Sequence, residues 1–252
     1  MSDDLSKSSP PLDLRRLTGA RVALGAAGAG VPTSAQQRFL LDHARAREAV
    51  WTEVDWPAVR GLLDGGGLAS VEAESRVRDR AEYLRRPDLG RRLSEAARER
   101  LRGEEQGADL AVVIADGLSA TAVTLNAAPL ALRIAERAGA RGWRLAPVVL
   151  ARQARVALGD EAGAALGAKV VVLLVGERPG LSAADSLGAY LTHAPEPGTP
   201  DSRRNCISNI REGGLPVESA ARQIEDLVAR MLRQGRSGVT LARTDEAAAI
   251  EG

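Results

Sequence analysis

One cysteine, two histidines and six aromatic residues are all that this 252-residue sequence carries of the side chains most used for covalent staples, metal ligation and base stacking. A lone cysteine, Cys206, excludes an internal disulfide and a cysteine-based zinc site. Neither His43 nor His193 sits in an HExxH or comparable motif, so no metal site is expected. So few aromatics leave little to stack on bases. The 34 basic and 33 acidic residues give a net charge of +1, hence no global attraction to nucleic acid. No apolar run approaches the ~20 residues of a membrane span. The start, MSDDLSKSSPP, is polar and acidic and does not read as a secretory leader. A reducing, cytoplasmic setting is expected, without nucleic acid or membrane. The length suits one large domain or two small ones, with a core that needs no staple.

What is present centres on residues 169–181, KVVVLLVGERPGL. Six apolar residues, 170–175, read as a strand buried on both faces, the pattern of a parallel-sheet centre. Gly176 ends it. Glu177 and Arg178 follow at once, where open α/β sheets bind their ligands.

Residues 1–13 lack apolar periodicity and read as a disordered tail. A strand-like piece over 21–24 runs into glycines 25, 28 and 30. Their GxxGxG spacing, followed by Pro32, is not a dinucleotide fingerprint and reads as a turn. Thr33-Ser-Ala-Gln36 fits a capping box, with Phe39, Leu40, His43 and Val50 on one helix face as far as Trp51. A lone helical histidine such as His43 reads as a packed core residue. Trp56-Pro57 opens a second helix that Asp64-Gly-Gly-Gly67 ends. Residues 68–77 alternate weakly, as a half-exposed strand does. The arginine-dense stretch 83–92 reads as a solvated loop before a helix over 91–105, with anion or partner binding as its functional alternative. From 108 the rhythm is β-α-β-α-β. Strands are expected over 109–115, 145–150 and 170–175; helices over 126–140, with Asn126 as cap before Pro129, and 156–166, stopped by Gly167. Strands over 187–193 and 205–208 and a long helix to Arg233 complete it. The reading is α/β: a Rossmann-like three-layer sandwich with a mostly parallel sheet over 107–240, after a mainly helical region over 14–106. A mobile tail covers 241–252.

No catalytic constellation emerges. Asp116-Gly-Leu-Ser119 is not a GxSxG elbow, and Asp116 and Ser119 read as caps of the next helix. Cys206 lies near basic residues, either as a reactive thiolate or as a small packed hydrophobe. The residues alone lead to a binding domain with its ligand near 116, 152–156 and 177.

Several blocks in order resemble one family. They are Asp116-Gly-Leu-Ser119, residues 169–181, Cys206-Ile-Ser-Asn-Ile210 with Gly213-Gly214, Met231-Leu232, residues 83–93 and Phe39-Leu-Leu-Asp-His43. Over about 21–239 the chain resembles the small (light) subunit of ethanolamine ammonia-lyase. The resemblance implies a non-catalytic, cofactor-binding subunit of a carbon–nitrogen lyase that converts ethanolamine to acetaldehyde and ammonia. Its cofactor would be adenosylcobalamin, base-on, shared with a large TIM-barrel subunit in an assembly of six large and six small subunits. A bacterial microcompartment is an associated location. The cobalamin contacts would map onto Val156, Glu177 and Cys206, making 107–240 the cobalamin-binding domain. Neither histidine lies in the Asp-x-His-x-x-Gly loop that replaces the cofactor's own base. Around Val156 the family commonly reads VRYGRVK, whereas this chain has Ala151-Arg-Gln-Ala-Arg-Val-Ala157, without the aromatic at Gln153. The alternative is a free-standing Rossmann-type nucleotide- or metabolite-binding protein, from which a barrel-type partner would discriminate.

Overall fold

The structure, a computed structural model, describes residues 24–25 and 28–241. The expected N-terminal tail and most of the strand-like piece over 21–24 lie outside these residues, as does the expected tail over 241–252 except for Leu241, which is buried in the core rather than mobile. Helix α1 (Thr33–Trp51) follows Pro32, whose carbonyl accepts the amides of Ala35 and Gln36. No side chain caps it, so the capping box at Thr33 does not form: Pro32 takes the cap position and Thr33 is already helical. Only Ala49 of α1 is buried; His43 is exposed rather than packed in a core. Helix α2 (Trp56–Gly65) has Pro57 in its first turn, and the Asp55 side chain caps it at Ala58 N, 3.0 Å.

Strand β1 (Ser70–Glu74) is half-exposed, as its alternation predicts. The arginine-rich stretch is more ordered than a solvated loop. It forms α3 (Arg80–Arg85), capped by Asp79, a 3₁₀ turn (Leu89–Arg91), and α4 (Glu95–Arg102), capped by Ser94. Then come β2 (Leu110–Ala115) and α5 (Ala120–Ala122), whose cap is Ser119, and a π turn (Val123–Ala127) leads into α6 (Ala128–Ala140). The chain is therefore helical well before Asn126, which is buried inside the turn and caps nothing. The rest is β3 (Val148–Arg152), α7 (Leu158–Ala165), β4 (Val170–Gly176), β5 (Leu187–His193), β6 (Asn205–Ile210) and α8 (Val217–Gln234). Strand β3 starts three residues later than expected. Gly167, at φ 59°, stops α7, and Gly235, at φ 64°, stops α8.

The six strands form one sheet in the order β1-β3-β2-β4-β5-β6. The first four are parallel; β5 and β6 are antiparallel to their neighbours. The sheet is thus mixed, correcting the mostly parallel expectation. The reason is connection length. Ten residues separate β4 from β5 and contain no helix, whereas a parallel return needs a crossover of about a dozen or more residues. Strands β2 and β4 are buried on both faces and alternate between two cores. Leu110, Val112 and Ile114 pack with Leu63, Leu130, Ile134, Ile224 and Val228 from α2, α6 and α8. Ala111, Val113 and Ala115 pack with Ala97, Leu101, Leu158 and Ala162 from α4 and α7. Helices therefore cover both faces. Each fully buried Leu or Ile contributes about 1.5–3 kcal/mol, so the two clusters hold the central strand ends in fixed register. Among the described residues no helix is long and apolar enough to cross a membrane.

Candidate functional site

The carboxyl ends of β2 and β4 approach so closely that each needs a glycine. A Cβ on Gly117, at φ 58°, would fall on the carbonyl oxygen of Gly176, and one on Gly176 would fall on that of Ser119. Leu118 N donates to Gly176 O at 2.8 Å across this junction. Asp116 does not cap the following helix. Its Oδ1 accepts from Gly117 N at 3.0 Å and Ala154 N at 2.9 Å, and its Oδ2 from Gln153 N at 2.9 Å, with Arg80 Nη1 3.5 Å away. Burial, the largest influence, pushes the Asp116 carboxyl above its usual range, against the amides and Arg80. Its work is structural: it fastens the β3–α7 turn to the end of β2 and holds Gln153 at φ 53°.

That turn carries Arg155 and Val156. Tyr83, fully buried, lies between two guanidinium groups, Arg80 at 4.6 Å and Arg155 at 4.2 Å from its ring centre. The Tyr83 hydroxyl donates to Ala154 O at 3.1 Å, and Arg155 Nη2 donates to Tyr83 O at 3.0 Å. Burial raises the Tyr83 phenol, so it stays protonated. The sequence reading overlooked Tyr83 as an organiser; being one of only six aromatics was the available signal.

Two adjoining cavities open beside this stack. One, of ≈ 370 Å³, is bounded by Gly117, Arg155, Val156, Glu177, Arg178 and Tyr190. The other, of ≈ 710 Å³, is bounded by Arg91, Arg155, Val156, Tyr190, Arg204 and Cys206, among others. Val156, Glu177 and Cys206 therefore all border this recess of two adjoining cavities, which share Arg155, Val156 and Tyr190. Each is positioned differently. Val156 precedes α7. Glu177 follows β4 and accepts from the Ser186 hydroxyl (2.5 Å) and from Asn209 N (3.2 Å), both on Oε2. Its Oε1 makes no hydrogen bond, and Glu177 makes no ion pair, among the described residues. Cys206 is an exposed residue opposite Tyr190 on the β5–β6 ladder. Partial desolvation, the largest influence, raises its thiol; a hydrogen bond with Tyr190 opposes this and the nearby Glu177 charge adds to it. Tyr190 itself is pushed up to about 12, first by burial. Cys206 is thus neither an activated thiolate nor a buried hydrophobe.

Below the recess, two buried carboxylates on α7 are neutralised in place. Glu161 takes Arg92 (2.8 Å), Arg98 (3.2 Å) and Leu93 N (2.9 Å), and Asp160 takes Arg204. Among the described residues no three His, Cys, Asp or Glu side chains cluster as metal ligands would. The recess thus offers hydrogen-bond acceptors at Glu177, cationic donors at Arg155, and an apolar floor.

Residues 8–242 match the model of the family described as Ethanolamine ammonia-lyase light chain (EutC). Relatives of the same kind share about half their residues with this chain. The ethanolamine ammonia-lyase small subunit of Rhodopseudomonas palustris is 52% identical over 242 residues, covering 94% of this chain and 93% of that protein. Those of Bradyrhizobium diazoefficiens and Pseudomonas syringae are 52% and 47% identical, covering 96% of this chain and 93% and 85% of theirs.

Proposed function

The chain belongs to the ethanolamine ammonia-lyase light-chain family, and on that premise we propose that it is the small subunit of an adenosylcobalamin-dependent ethanolamine ammonia-lyase. With a large subunit it would bind the cofactor for deamination of ethanolamine to acetaldehyde and ammonia. The observation that carries this reading is the convergence of Val156, Glu177 and Cys206, from three separate elements, on one recess at the strand ends.

The residues present fit the cofactor. A corrin is larger than either half of the recess, so it can rest on this chain with one face only and leave the other for a partner. Its rim bears amide groups, which need both donors and acceptors. Glu177, whose Oε1 makes no hydrogen bond among the described residues, is an acceptor only. Val156 has no polar side chain, but its amide makes no hydrogen bond among the described residues and is open to an acceptor elsewhere on the cofactor. Cys206 and Tyr190 give a soft, weakly polar wall. When bound, the cofactor supplies the radical chemistry; this chain's residues bind, orient and exclude water. The exposed apolar residues of α1 and the rim residue Arg91 offer the large subunit its contact.

The test is reconstitution. The purified chain with adenosylcobalamin and ethanolamine is expected to give no acetaldehyde, and addition of the large subunit should restore turnover. Acetaldehyde formed by this chain alone would overturn the division of labour. Failure of the two chains to associate in the presence of cofactor would overturn the subunit assignment.

A further inference from the structure

Of the five arginines that line the recess, two are already neutralised. Arg92 pairs with Glu161, and Arg204 with Asp160 and Asp201. Arg155 is different. It makes no ion pair among the described residues, yet it is half-buried at the junction of the two cavities. Its Nη2 is committed to Tyr83 O, its Nε is buried without an acceptor, and its Nη1 makes no hydrogen bond among the described residues. The ring of Tyr83 behind it, at 4.2 Å, offsets part of the cost of removing a cation from water but supplies no counter-charge. An arginine that lines both cavities, is held through Nη2 and has two nitrogens without an acceptor is arranged for an anion that this chain does not contain.

The backbone beside it agrees. The amides of Val156 and Ala157, just before α7, have no acceptor among the described residues. They lie at the positive end of that helix, and its first-turn carboxylates, Asp160 and Glu161, are held by arginines of their own. Of the carboxylates that line the recess, Asp201 and Glu161 are paired, and Glu177 is fixed by Ser186 and Asn209. Arg91 and Arg178, also at the recess, are exposed and can stay hydrated, so they make no such demand.

We infer that Arg155, with the amides of Val156 and Ala157, receives the phosphodiester of the cofactor's nucleotide tail. This rests on the cobalamin reading above and deepens it. The corrin amides are neutral, so the tail phosphate is the cofactor's anion. Glu177 can only accept hydrogen bonds and would repel it. The recess is therefore divided: amide N–H groups go to Glu177 and the phosphate goes to Arg155. Arg155 acts as a specificity residue that distinguishes cobalamin from corrinoids without a tail.

The experiment uses the reconstituted complex of both subunits and two probes, cyanocobalamin and cyanocobinamide, which lacks the phosphate and nucleotide. Dissociation constants are measured by equilibrium ultrafiltration for the wild type, Arg155→Gln and Arg155→Lys. Arg155→Gln is expected to weaken cyanocobalamin about ten- to hundredfold and cyanocobinamide less than about twofold. Arg155→Lys, which keeps the charge but loses the fork, should fall between. Equal loss for both probes would overturn the inference, since it would mean a packing or corrin role. So would unchanged cobalamin affinity with weakened subunit association, because the anion would then be a carboxylate of the large subunit. If Arg155→Gln does not fold, Arg155→Lys decides: an unchanged preference for cobalamin over cobinamide overturns the assignment. A wild-type complex that binds neither probe would remove the cofactor reading itself, a result distinct from one in which both bind but Arg155 does not discriminate.

Discussion

Glu177 illustrates how far a single position can be read. Its place just past a doubly buried strand was legible, because six apolar residues ending at a glycine describe a central strand and its exit. What holds the carboxylate was not legible. Ser186 comes from the far end of the next loop and Asn209, at φ 60°, from the last strand; only the antiparallel return brings them together. Among the described residues Glu177 makes no ion pair with the adjacent Arg178. Glu177→Gln keeps an oxygen for Ser186 and Asn209 but turns an acceptor toward the recess into a donor. Cobalamin affinity of the reconstituted complex is expected to fall about ten- to hundredfold, since a hydrogen bond to a charged group is worth about 1.5–3 kcal/mol. The thermal midpoint should stay within a few degrees. Normal affinity with a lowered midpoint would return Glu177 to a turn-holding role.

Among the elements, the helix after β2 departs most from expectation. Asn126 before Pro129 looks like a cap because proline favours first turns. Yet the chain turns helical at Ala120, and the widened turn over Val123–Ala127 absorbs the proline. Pro129 has no amide to donate, and its ring would strike the carbonyl four residues back in a regular helix. Once inside the helix, Asn126 faces the loop after β4. Its Nδ2 donates to Asp185 O at 3.0 Å, and the Ser119 hydroxyl donates to Ala184 O at 2.6 Å. Two buried polar side chains on one helix thus fasten the loop that begins at Glu177. Local propensity could not reveal this, because the partners are about 60 residues apart in sequence. Asn126→Ala should speed amide exchange in residues 178–186 by about tenfold or more while β2 and β4 keep their protection, consistent with a loss of about 1–2 kcal/mol in the latch. Exchange that is unchanged in this loop would show that Asn126 fills space only.

At the scale of the whole molecule, both central strands follow from continuous apolar runs buried on both faces, whereas the surface is where sequence and structure part. The arginine-rich stretch looked like one solvated patch, but its residues have unlike duties. Arg92 is tied to a carboxylate that is almost wholly buried, so reversing its charge would set two carboxylates together and test folding rather than assembly. Arg91 is exposed at the recess and is the informative one. Helix α1 behaves likewise: its apolar residues suggested a packed face, yet Leu40 and Trp51 are 57% and 53% exposed. Contiguous exposed apolar side chains on a nineteen-residue helix are costly to leave in water and suit a partner's surface. A stable heteromeric interface buries about 1,200 Å² or more, with a few central apolar anchors dominating. Leu40→Glu combined with Arg91→Glu is therefore expected to weaken association with the large subunit by about thirtyfold or more, equivalent to about 2 kcal/mol. Both side chains are solvent-exposed in the isolated chain, so its melting temperature should be unchanged. Sedimentation of the mixed subunits and thermal unfolding of the small subunit alone separate the outcomes. Undiminished association would remove α1 and Arg91 from the interface and leave the recess as the main contact.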